Sequence, residues 1–179
     1  MNSKIISISA ISAAFIAIFL TLGAYIQFID LIGVVIASAF VMLPIYLKSY
    51  KGSFLSYLAG GIIAFLFSGF NILSIVFPIY FLFFGLYPII KCIAFDKGFN
   101  LRIFYLFTFI WCILAAYGAY FYYVLVIGEE NLFAGLPSIV IDYVYVFIGL
   151  VGAIFYFVFD KFVFMTRILI NRYLSRIIK

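Results

Sequence analysis

No histidine occurs anywhere in these 179 residues. That removes the commonest metal ligand and the commonest general base, so a histidine-built metal centre or a histidine-activated nucleophile is excluded. Charge is almost as scarce. Asp, Glu, Lys and Arg together make up 9% of the chain, against about a quarter in a typical soluble domain. There are only two cysteines, Cys92 and Cys112. One falls beside basic residues and the other inside an apolar run, so each reads as a small buried apolar side chain with no disulfide implied. A phosphate-cradling loop is also missing: Lys51-Gly52-Ser53 lacks the upstream glycine that would frame one. The chain is therefore not expected to hydrolyse ATP itself. Glu129-Glu130 is not followed closely by an arginine, which argues against an intramembrane-protease glutamate motif. No enzyme activity, metal or cofactor is expected.

What the chain has instead is apolar side chains. They account for 69% of residues, and the mean hydropathy is +1.36. Such a chain lacks the polar groups to cover its own exterior in water, so lipid must solvate most of its surface. Six apolar runs are read as membrane spans, at about 5–28, 31–47, 54–70, 72–90, 103–127 and 138–159. The longer ones suffice, at about 1.5 Å per residue, for a hydrocarbon core about 30 Å thick. A cleaved signal peptide is the rival reading of the first run. The lone Lys4, the length of the run and Leu22 ahead of Ala24 all fit it poorly.

The basic residues alternate with these runs. Lys4 precedes the first; Lys48 and Lys51 follow the second; Lys91, Lys97 and Arg102 follow the fourth; Lys161 and the remaining arginines and lysine follow the sixth. The connections after the first, third and fifth runs have none. Lysine and arginine are retained on the cytoplasmic side, so the expected topology is six transmembrane helices in one bundle with both termini cytosolic. The expected location is the cell membrane. The net charge of +5 is spread over cytosolic ends, where anionic lipid attracts it, and does not point to nucleic acid. All six acids lie at or near span ends, which argues against an autonomous proton-driven transporter.

The tail 162–179 follows a different pattern. On a helical wheel Arg167, Asn171, Arg172, Ser175, Arg176 and Lys179 share one half, and the other half is largely apolar. This predicts an amphipathic helix lying on the inner leaflet or docking a partner.

Two clusters are candidates for function. On the first span Ala10 and Ala14, and Ala13 and Ala17, are four residues apart. Small side chains let helices approach closely in lipid, so the stripe packs either within the bundle or against another membrane protein. At the outer ends polar and aromatic groups gather: Gln27, Asp30, Asn71, Tyr120, Tyr123, Glu129, Asn131, Asp142 and Tyr143. Most tyrosines there are belt residues. Those facing inward beside amides and carboxylates would suit a small polar ligand with a flat ring.

With six spans in this length, cytosolic termini and the run Ile8-Ser9-Ala10-Ile11-Ser12-Ala13-Ala14, the chain resembles the substrate-capturing S component of an energy-coupling-factor vitamin transporter. The resemblance implies a vitamin-like ligand held near the outer face. It also implies docking through Ala10, Ala13, Ala14 and Ala17 onto a transmembrane coupling protein driven by two ATPase subunits. The absence of histidine departs from the nickel and cobalt members. The alternative is a non-transporting membrane scaffold of morphogenesis type. It would have a filled core where the binder has a walled polar cavity.

Overall fold

The computed structural model describes residues 2–26, 28–71, 73–128 and 143–177, with 127 and 174–177 described by backbone alone. The described residues are helical throughout, with short connections and no strand. The helices are α1 (Ser3–Tyr25), α2 (Asp30–Val41), α3 (Leu43–Tyr46), α4 (Tyr50–Phe67), α5 (Val76–Ile79), α6 (Leu86–Asp96), α7 (Leu101–Ile127) and α8 (Val144–Ile177), and a π-helical turn, Tyr80–Phe84, joins α5 to α6. Among the described residues, five helical stretches are long and apolar enough to cross a membrane: α1, α4, the run Val76–Asp96, α7 and α8. The stretch Asp30–Tyr46 is apolar but shorter. This architecture is compatible with a multi-pass membrane protein.

Helix ends follow local chemistry. Ser49 and Asn100 cap α4 and α7, their side-chain oxygens accepting from the amides of Gly52 and Arg102, each at 3.1 Å. Gly69 and Phe70 both adopt positive φ, 68° and 57°, and turn the chain tightly after α4. Gly98 (φ 67°) ends α6 in the left-handed conformation that glycine adopts without penalty.

Two expected boundaries move. The fourth helical run begins at Val76, not near 72, after the chain has turned at Gly69 and Phe70. The basic tail is helical as expected, but not a separate element: α8 continues from Val144 to Ile177 without interruption. Past Gly152 this stretch contains neither glycine nor proline, so nothing breaks the hydrogen-bond ladder. At about 1.5 Å per residue its 34 residues extend about 50 Å, well beyond a hydrocarbon core.

The bundle has two differently built parts. In the first, α1 lies against α2 and α4 through small residues. Ser9, Ser12, Ala13 and Ala17 of α1, Gly33 and Ala37 of α2, and Gly52, Gly60 and Ala64 of α4 are all buried. Serine hydroxyls tie the backbones together: Ser56 donates to the Ser9 carbonyl at 2.9 Å and Ser12 to the Phe40 carbonyl at 2.6 Å. Such close approach is the packing that holds helices together in lipid, where apolar contact alone gives little drive.

The second part is aromatic. Phe83, Phe84 and Tyr87 from the π turn and α6 interlock with Tyr156 and Phe159 of α8 and Trp111 of α7. Ring pairs at these spacings favour edge-on or offset contact. The π turn has a covalent cause. Pro88 has no amide proton to offer the carbonyl of Phe84, and Gly85 donates one residue further back than in an α-helix, to Tyr80 at 2.9 Å.

Candidate functional site

The helix ends sort by charge. Lys48, Tyr50, Asp96 and Arg167 meet at one end, the basic end. At the far end the Tyr25 hydroxyl donates to the Phe67 carbonyl at 3.1 Å, and Asp30 lies beside Gly23. Between α2, α5, the π turn, α7 and α8, a cleft of about 550 Å³ occupies the far half of the bundle. Its walls are apolar: Ile75, Ile79, Phe83, Phe84, Ala115, Ala116, Ala119, Phe147, Ile148, Val151 and Phe155. The alanines of α7 and Gly152 of α8 create the space, because bulky side chains at these positions would close it. Polar groups come from two of the expected residues, Asp30 and Tyr123.

Asp30 is the first residue of α2, and its Oδ1 accepts from the Leu31 amide at 2.6 Å. Its second carboxylate oxygen has no protein donor among the described residues. A partly buried carboxylate over an apolar cleft can take a cationic or hydroxyl group while the walls hold an apolar body.

The other expected site residues separate. Asn71 lines a smaller cavity of about 290 Å³ with Phe65, Ser74, Phe81 and Tyr122. Tyr120 packs edge-on against Tyr145, with ring centroids 5.6 Å apart. Tyr143 is exposed. Gln27, Glu129, Asn131 and Asp142 lie outside the described residues. No family model, curated protein or solved structure matches this chain.

The alanine stripe divides in two. Ala13 and Ala17 are buried, with Ala13 close to Gly60 of α4. Ala10 and Ala14 are exposed on the adjoining strip of α1, next to Ile11 and Ile18. Only this second pair is free to meet another protein.

A buried ion pair is a feature that sequence reasoning places elsewhere. Lys91 reads there as the start of a cytosolic connector, but α6 continues through it to Asp96 and its side chain is 3% exposed. Its Nζ donates to Asp160 Oδ1 at 2.5 Å and to the Asp160 carbonyl at 2.8 Å, and the Tyr87 hydroxyl donates to the same carboxylate. Nearby, Thr108 and Tyr156 share a hydrogen bond of 2.7 Å. Together these groups link α6, α7 and α8 through an otherwise apolar interior. The available signal is spacing: Tyr87 and Lys91 are four apart on one helical face, with no breaker between Lys91 and Gly98.

Proposed function

We propose that this chain is a substrate-capturing subunit of a membrane importer. It crosses the cell membrane six times, with the short stretch Asp30–Tyr46 as the second crossing and both termini in the cytosol. The far end then faces outward and the basic end inward, as the alternation of lysine and arginine requires. The observation that carries the proposal is the cleft at the far end, roomy enough for a vitamin-sized molecule and walled by α2, α5, the π turn, α7 and α8.

The cleft departs from the walled polar cavity expected of a binder, because its walls are apolar, and this changes the ligand. Polar groups along the walls are few, so the ligand has a ring or aliphatic body for the pocket and a cationic or hydroxyl group for Asp30 and Tyr123. The absence of a phosphate-binding loop leaves energy to partners, as in the energy-coupling-factor transporters that the chain resembles: a coupling protein with two ATPase subunits. Ala10 and Ala14, on the exposed face of α1, are the docking surface that remains free.

The test is mass spectrometry of small molecules retained by the detergent-purified protein. Wild type should carry one molecule per chain. Ala119→Trp, which fills the cleft, should abolish retention while the protein stays folded, and Ala14→Trp should keep the ligand but lose import in cells. Equal retention by wild type and Ala119→Trp would place any ligand outside the cleft. A wild-type protein that retains nothing and binds no vitamin-class compound would leave a scaffold.

A further inference from the structure

A second cavity, of about 490 Å³, opens at the basic end between α3, the start of α4, α6 and α8. Its floor is apolar, formed by Met42, Ile45, Cys92 and Ile170, and its rim carries Lys48, Tyr50, Asp96, Arg167 and Asn171. The rim carboxylate is already engaged. Asp96 Oδ1 accepts from Arg167 Nη2 at 2.5 Å, and Oδ2 accepts from the Tyr50 hydroxyl. Its acceptor capacity is directed at the protein, and it serves to position Arg167 instead of offering a negative charge to a ligand.

The donors are left over. Arg167 uses one nitrogen on Asp96, and its guanidinium stacks over the Phe95 ring with the charge 5.6 Å from the centroid, so its remaining N–H groups are held in place. The side chains of Lys48 and Asn171 make no hydrogen bond or salt bridge among the described residues, and Lys48 acts on Asp96 only through its charge. Lys48 also adopts φ 54°, the left-handed region that a residue with a Cβ seldom occupies. Two cations and an amide thus converge on a concave apolar floor beside one satisfied acid.

We propose that this cavity binds a phosphate group, with the Lys48 ammonium and the free guanidinium edge of Arg167 on its oxygens. Phosphate accepts such charge-assisted, multidentate hydrogen bonds better than any neutral group. Basic pockets between membrane helices take anionic lipid headgroups, and here Met42, Ile45 and Ile170 would receive the glycerol and first methylenes. A soluble phosphate ester has the same chemistry without the chain.

The experiment titrates the purified full-length protein in neutral detergent and reads binding by native mass spectrometry. The probes are dihexanoyl phosphatidylglycerol, dihexanoyl phosphatidylcholine and glycerol 3-phosphate. Phosphatidylglycerol is expected to bind at least fivefold more tightly than phosphatidylcholine, and glycerol 3-phosphate to bind weakly, which assigns the site to lipid. Glycerol 3-phosphate binding as tightly as phosphatidylglycerol would support the phosphate site and assign it to soluble ligands. Lys48→Asn removes the charge with a residue that tolerates left-handed backbone. It should cut anion binding about fivefold, with Lys48→Arg close to wild type. Equal binding of the two lipids, or anion binding unchanged in Lys48→Asn, overturns the proposal.

Discussion

Lys91→Met is expected to destabilise the bundle by about 3–5 kcal/mol, the loss seen when one partner of a buried ion pair is removed. The lysine is 3% exposed and supplies the only cation on the Asp160 carboxylate among the described residues. Removing it leaves that carboxylate, itself 19% exposed, with the Tyr87 hydroxyl and no counter-charge, beside the buried Phe159 and Val163 of its own helix. Asp160→Leu should cost a comparable amount, because an ammonium would then be stranded. The informative variant is the double change Lys91→Met/Asp160→Leu. Charges buried together lose much of their attraction to desolvation, so an apolar pair of similar size should recover most of the loss. Unfolding in mild detergent against increasing denaturant measures all three. Single variants as stable as wild type would mean that water reaches the pair.

The second large effect concerns the contact between α1 and α2. A Cβ at Gly33 would lie 2.6 Å from the carbonyl oxygen of Phe19 and 3.4 Å from the Gly23 Cα. Both are backbone atoms, which cannot rotate aside as a side chain can, so the helices must separate. Gly33→Val should therefore cost at least the 1–3 kcal/mol typical of overpacking and lower the folded yield sharply. Gly118→Val, on α7, supplies the control, since nothing lies within 4 Å of a Cβ built there. Comparable folded yields for the two variants would show that α1 and α2 do not approach as closely as described.

The helical character of the described residues was legible in the chain because long apolar runs face simple demands. Apolar runs long enough to span must be helical, and α1, α4 and α7 start and stop within a few residues of their expected limits. Helix ends were less legible where the breaker was subtle. The fourth helical run starts later than its apolar residues suggest, at Val76, and continuation of α8 into the basic tail depends on the absence of any breaker.

The candidate site was legible only in part, for a reason of chemistry. Selecting polar residues near span ends finds Asp30 and Tyr123, which line the cleft. It cannot find the walls, because Ala115, Ala119 and Gly152 resemble any small residue of an apolar helix until their neighbours are known. The same selection separates Lys91 from Asp160, since they are 69 positions apart and each looks like the end of its own span. The alanine stripe needed the packing of α4 before Ala13 could be told apart from Ala14.

Both proposed sites require the far end to face outward and the basic end to face the cytosol. Single cysteines read this orientation directly. Native Cys92 and Cys112 are 1% and 5% exposed and are replaced by alanine, while Leu73 at the far end and Phe99 at the basic end are 68% and 59% exposed. With a membrane-impermeant maleimide on intact cells, Leu73→Cys should be labelled at once and Phe99→Cys only after lysis. The reverse pattern, or labelling of both before lysis, would contradict the orientation on which the cleft and the phosphate site depend.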